Sequence, residues 1–241
     1  MKHSAVIGSI IIGFFLCLGL IGGGYFIGQT MYNAKVAINI AEAKGLAERR
    51  VKADRAEWQI DYSVASANIG NVAGLYEDAK RSQRAIIQNL EEVGFDSDEI
   101  QIGVINKRYQ EFRDENQRVV DQRFTLRGSI SIETDKVDLV STARSSVNEL
   151  IAQGHNINNN NPSYRFTALN DIKPDMLSEA AQNARIAANR FAEDAGVNVG
   201  RIKEARQGAF IIRDVGSDYG DTQKIDKDVR VVTTIKFYLA D

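Results

Sequence analysis

Cysteine and histidine are almost absent from this 241-residue chain: Cys17 is the one cysteine, and His3 and His155 are the two histidines. Disulfide frameworks, Cys/His zinc sites and iron–sulfur clusters therefore cannot be assembled within one copy. A Ser–His or Cys–His nucleophile would have to be built around His155. A basic surplus is also missing. Thirty Lys and Arg face thirty-two Asp and Glu, a formal charge of -2, so the composition predicts no nucleic-acid partner. Hydrophobic residues at 44% and charged residues at 26% exclude a disordered or low-complexity chain.

One long uncharged run is present. From Ala5 to Ile27 the sequence reads AVIGSIIIGFFLCLGLIGGGYFI, about 34 Å as a helix against a hydrocarbon core of about 30 Å. A cleaved signal peptide has a shorter apolar region and ends in small residues of the A-x-A kind. Here the exit is Gly28-Gln29-Thr30-Met31-Tyr32, and Cys17 follows Phe14-Phe15-Leu16 rather than the small residues of a lipidation site. An uncleaved signal anchor is the expectation, with residues 5–27 in lipid. Lys2, the α-amino group and His3 precede the run, and the first charge after it is Lys35. The positive-inside rule then keeps the N-terminus in the cytoplasm and exports the rest of the chain. Tyr25 and Tyr32 suit the outer interface. Gly19-xxx-Gly23 and Gly24-xxx-Gly28 are spaced for close helix packing, although glycine is common in membrane helices in any case.

The rest alternates between two periods. Residues 34–45 are ambiguous: Ala, Glu and Lys favour helix, while Val36, Ile38 and Ile40 alternate as in a strand. Ala56, Trp58, Ile60, Tyr62 and Val64 mark a strand with one buried face. Val72, Leu75, Ala79, Ile86, Leu90 and Val93 follow helical spacing within residues 68–93, and Gly94 is a natural stop. Ile100, Ile102 and Val104 alternate. A polar turn at 113–116 follows, and Phe124, Leu126, Ile130 and Ile132 form the partner strand of a hairpin. Asp135 is placed to cap a helix to about Gln153, with Val137, Val140, Val147, Leu150 and Ile151 inward and Gly154 ending it. After the Asn158–Asn161 loop, Tyr164, Phe166 and Ala168 resume alternation. This order, βαββαβ, is that of the split βαβ arrangement. Pro174 fits the first turn of a further helix. That helix carries Ala180, Ala181, Ala184, Ala187, Ala188 and Ala192, a smooth face suited to close approach, and Gly196 ends it. Two strands, Ile202–Ile212 and Val229–Leu239, joined by a polar loop, complete an αββ extension. The predicted organisation is a stub and anchor over 1–28, a connector and first strand over 29–50, the βαββαβ portion over 51–170 and the αββ portion over 171–241. The fold class is α+β.

Three stretches resemble the SIMPL-domain family, bacterial exported or membrane-anchored proteins of poorly defined role. The first is Lys44-Gly45 through Ala53-Asp54 to Trp58. The second runs from Tyr164-Arg165-Phe166-Thr167 through Ile172-Lys173-Pro174-Asp175-Met176 to Ala192-Glu193-Asp194-Ala195-Gly196 and Val199-Gly200-Arg201-Ile202. The third is Val229-Arg230-Val231-Val232-Thr233-Thr234-Ile235. The resemblance tips Val36–Lys44 from helix to strand and implies a mixed α+β ectodomain. It also implies ring- or cage-like homo-oligomers in the periplasm, some linked to envelope or oxidative stress. No catalytic residues are carried over by it.

The remaining candidates each have a plain reading. His155 lies in a polar loop and needs an oriented partner to act as a base. Asp54 can pair with Arg49, Arg50 or Arg55, as a structural ion pair or turn. Trp58 belongs to the core. Glu91, Glu92, Asp96, Asp98 and Glu99 lack the spacing of a calcium loop and read as a solvated helix end. Gly22-Gly23-Gly24 lies inside the apolar run, and no phosphate-binding glycine motif follows a strand. The expectation is therefore no catalytic, cofactor or metal site. It is a tethered, outward-facing, self-assembling component of the inner membrane and periplasm, with a ligand- or partner-binding module as the alternative.

Overall fold

In the computed structural model, residues 2–36, 40–67 and 71–240 are described, with side chains described over 13–31 and from residue 40 onward. The side chains of Lys2, His3, Tyr32 and Lys35, the position of Ile38 and the helix start at Asn68 lie outside these. The elements are α1 (Lys2–Val36), β1 (Ile40–Lys52), β2 (Arg55–Ser66), α2 (Val72–Val93), β3 (Ile100–Ile102), β4 (Asn106–Arg113) and β5 (Val119–Thr134). Then come α3 (Leu139–Ala152), β6 (Ile157–Asn159), β7 (Ser163–Arg165), α4 (Leu169–Ala195), β8 (Asn198–Gln207), β9 (Ile211–Asp214) and β10 (Asp226–Ala240). The class is α+β. Two compact units are formed, one from residues 1–47, 177–209 and 231–241, the other from 48–176 and 210–230.

The second unit holds a six-stranded sheet in the order β3-β5-β2-β6, with β4 pairing β5 and β7 pairing β2. All pairings are antiparallel, which is the split βαβ order. On β2, Ala56, Trp58, Ile60 and Tyr62 are buried while Arg55, Glu57 and Gln59 are exposed, as a strand covered on one side requires. Opposite them on β5, Ile130 and Ile132 pair directly with Ile60 and Trp58. Helix α2 covers this layer with Leu75, Ala79, Ile86 and Leu90, and α3 with Val140, Ala143, Val147 and Leu150. Asn71 caps α2 by accepting from the Gly74 amide at 3.1 Å, and Gly94 closes it at φ 117°, a conformation that costs glycine little. Val72 and Ile151, expected inward, are exposed: Val72 is the first residue of α2 and Ile151 falls in the last turn of α3.

Several boundaries differ from the sequence expectation. Helix α1 continues past Ile27 to Val36, so Val36 is helical and the first strand starts at Ile40. Apolar composition does not by itself end a helix, and no proline or helix-stop residue stands between Thr30 and Val36. Asp135 is not the cap of α3. That helix starts at Leu139, after Asp138, because residues 135–137 form a turn closed by the Val137 amide on the Asp135 carbonyl at 2.9 Å. Pro174 lies inside α4 rather than in its first turn, since the helix begins at Leu169. Ring closure there removes one amide from the ladder. The Tyr164 strand ends at Arg165. The span Ile202–Ile212 is two strands, β8 and β9, interrupted at Gly208.

In the first unit, β10 runs beside β1 and β8 in the order β1-β10-β8. Ala184 and Ala188 of α4 pack on Ala43, Ile235 and Phe237. The smooth alanine face thus allows a helix to lie close on a strand. A Cβ on Gly45 of β1 would sit 1.8 Å from the Ala180 carbonyl oxygen and 2.4 Å from the Ala184 nitrogen. Asn183 donates to the Leu46 carbonyl at 2.8 Å and locks the register.

Candidate functional site

Three surfaces are candidates: the apolar helix, the uncovered face of the six-stranded sheet, and the β4–β5 hairpin. From Gly13 to Met31, α1 is long and apolar enough to cross a membrane, and none of this span is buried. Phe14, Phe15, Leu20, Ile21 and Phe26 all stand exposed. At Gly19, Gly23, Gly24 and Gly28 an added Cβ would meet nothing within 4 Å.

On the uncovered sheet face, the odd-numbered positions of β2 and β5 line a trough of about 480 Å³. Gln59, Asp61, Ser63, Arg127, Ser129 and Asn158 form its walls. Asp61 accepts from Gln59 at 2.8 Å and from Asn160 at 2.8 Å, and Asn156 donates to Ser63 Oγ at 2.9 Å. Amide and hydroxyl groups dominate its side chains, so the trough suits a hydrated polar ligand or a polar loop of a partner. His155 is not among its walls. Its Nδ1 lies 2.9 Å from Ser82 Oγ on α2, tying the loop after α3 to that helix.

Asp54 does not pair with an arginine. Its carboxylate accepts from the Thr167 amide at 2.8 Å, the Thr167 hydroxyl at 3.0 Å and the Ala168 amide at 2.9 Å, immediately before α4. Arg50 instead meets Asp228 at 3.0 Å, and Arg49 lies 3.9 Å from Asp175. Asp54 thus satisfies helix-entry amides that a local cap would otherwise serve. Replacing Asp54 with alanine is expected to cost about 2 kcal/mol, read as a lower urea midpoint with an unchanged slope. Trp58 is core, at 2% exposure, and its indole N–H reaches the Asn160 carbonyl at 3.0 Å and Asn159 Oδ1 at 3.2 Å. The asparagine loop thereby satisfies the one polar atom of the buried ring.

Of the acidic run, Asp96 and Glu99 close around the Lys136 ammonium at 2.5 and 2.9 Å. Burial pushes the Glu99 carboxyl up, but Lys136, Thr134 and the Asp96 amide outweigh it and hold the group below its usual range. A lysine of the same chain thus ties two of these carboxylates together. Among the described residues, no group of three or more His, Cys, Asp and Glu side chains is arranged to hold a metal ion.

Two features had no signal in the sequence. Lys227, fully buried, donates to Asp214 Oδ1 at 2.5 Å and to the Asp221 carbonyl at 2.6 Å. Asp214 also accepts from the Gln223 and Lys224 amides at 2.9 and 3.1 Å. The polar loop between β9 and β10 is thereby built around an internal ion pair. The second feature is β4 itself, whose eight residues are all exposed and whose sequence, NKRYQEFR, shows no apolar alternation.

A family described as SIMPL, a protein of unknown function (DUF541), matches residues 42–231. The chain belongs to this family. The match starts within β1 and ends within β10, so it takes in both sheets and leaves α1 outside. A search of curated proteins returns no match to the chain.

Proposed function

We propose that this SIMPL protein is a single-pass, membrane-anchored component of the bacterial envelope. Its family domain faces outward and assembles with further copies of itself as a structural or scaffolding element. The observation that carries the reading is the span Gly13–Met31, uncharged throughout, apolar enough to cross a membrane and with no part buried. A helix of that length reaches about 28 Å, and lipid removes such a surface from water at no cost in polar groups. The lysine before the run and the lack of charge until Lys35 favour an outward-facing domain. The glycines at 19, 23, 24 and 28 leave room for two such helices to approach.

Flotation of membranes from cells making the full chain, after alkaline washing, tests the anchor. The intact chain is expected to float with lipid, and deletion of residues 1–28 is expected to release it. Mature protein whose first residue lies beyond the apolar run would overturn the reading. A second reading, a periplasmic ligand- or partner-binding module linked to envelope or oxidative stress, is favoured by the polar trough on the uncovered sheet face. Under it, Asp61→Ala and Arg127→Ala abolish binding of a polar ligand while leaving assembly intact.

A further inference from the structure

We propose that β4 is a self-pairing strand: a second copy of this chain adds its own β4 antiparallel, across a two-fold axis through Tyr109. The inference rests on the reading that the chain assembles with itself, and it names the surface and the register. Strand β4 pairs with β5 on one side, and its other side is an edge. Strand β2 reaches β5 only over Phe124–Thr134, whereas β4 follows β5 out to Val119. From Gln110 outward the hairpin is consequently a two-stranded ribbon. Such ribbons are marginal in water without a further strand, and their unpaired amide and carbonyl groups are a template for one. The ribbon also leaves Phe112 and Val120 exposed, at 44% and 65%.

Charge selects the occupant, and charge with strand continuity selects the register. About a two-fold axis normal to the sheet, residues facing each other have numbers that sum to a constant even value. An axis at Tyr109 sets Lys107 against Glu111 of the second copy, twice, and Arg108 against Gln110. Moving the axis to Arg108 opposes two arginines, moving it to Glu111 opposes two glutamates, and moving it to Gln110 sets Lys107 against Arg113 twice. An axis at Phe112 would fall on the register shift between Phe112 and Arg113. Like charges directly opposite destabilise a strand pair and unlike charges support it; axes at Tyr109 and at Phe112 both oppose unlike charges, the latter setting Glu111 against Arg113, and the shift beside Phe112 leaves Tyr109 as the register on an unbroken stretch of strand. Within the chain, Lys107 has an aromatic neighbour, its Nζ lying 5.5 Å from the Phe124 ring centroid. Tyr109 packs on the same ring at 4.9 Å. Lys107, Tyr109 and Glu111 share one face, and Glu111 accepts there from the Tyr109 hydroxyl at 2.8 Å and from Arg113 at 2.6 Å, so Lys107 of the second copy would join a carboxylate that these two groups hold in place.

The test uses the full chain in detergent with Cys17→Ser, which removes the single native thiol. Under mild oxidation, Tyr109→Cys is expected to give a covalent dimer, while Lys107→Cys and Glu111→Cys, each far from its own symmetry mate, are not. Lys107→Glu and Glu111→Lys should each weaken dimerisation about tenfold through two symmetric pairs, and the double swap should restore it. A chain that stays multimeric by light scattering yet gives no Tyr109→Cys dimer, or no rescue by the double swap, overturns this interface and leaves the assembly reading standing. A monomeric chain overturns both.

Discussion

Gly45→Ala is expected to destabilise the folded domain by about 3 kcal/mol, about 10 °C in Tm for a chain of this size. At an ordinary strand position the same change stabilises, by about 0.4–1 kcal/mol, because alanine restricts the unfolded chain. The sign reverses here because the new methyl would lie 1.8 Å from the Ala180 carbonyl oxygen and 2.4 Å from the Ala184 nitrogen. Both are backbone atoms, so no rotamer change relieves the contact and α4 must back away from β1. That movement also stretches the bond from Asn183 to the Leu46 carbonyl. Trimming a neighbour, as in Ala184→Gly, does not rescue the variant, whereas a clash with side chains would be relieved. Thermal unfolding of the two single variants and the double variant checks this; a Gly45→Ala chain as stable as the parent would refute the close approach.

Lys227→Met is expected to cost about 3–5 kcal/mol, the usual penalty for leaving a buried charge without its partner. Methionine fills the space but leaves the Asp214 carboxylate with two backbone amides only, and the Asp221 carbonyl without its donor. The pH dependence follows from Asp214. Burial pushes its carboxyl up, but the Lys227 ammonium and the Gln223 and Lys224 amides prevail and hold it below its usual range. In the parent, this group therefore contributes stability above the ordinary carboxylate range that is lost as the pH falls through its lower folded value. In Lys227→Met the ammonium is gone and burial dominates, so the carboxyl protonates more readily. The stability gap between parent and variant should be widest near neutrality and shrink as the pH falls from the variant carboxyl's raised folded value towards the parent's lowered one. Denaturant unfolding at a series of pH values measures it, and a gap independent of pH would refute the assignment.

The two periods of apolar residues carried much of the architecture. Trp58, Ile60 and Tyr62 alternating with Glu57, Gln59 and Asp61 identified β2, and Leu75, Ala79, Ile86 and Leu90 identified α2. Burial on one face is imposed on each element separately, so it is written locally. What escaped was written elsewhere. Strand β4 has no buried face, and its pairing partner defines it. Asp54 serves the entry of α4 from more than a hundred positions away, and nothing in its neighbours marks that. Asp214 and Lys227 read as ordinary loop charges, and only enclosure turns them into a pair.

By itself, then, the sequence determined the apolar N-terminal helix, the α+β class, the family and most of the strand and helix order, missing β4 and β6, because composition and period act along the chain. The tertiary structure alone decided that β1 joins β10 and β8 in a separate four-stranded sheet, that α4 lies against Gly45, and that one hairpin runs out beyond its own sheet. Hydrogen bonds between strands and contacts between backbones depend on which segments meet in space. A strand's own residues do not encode its neighbour.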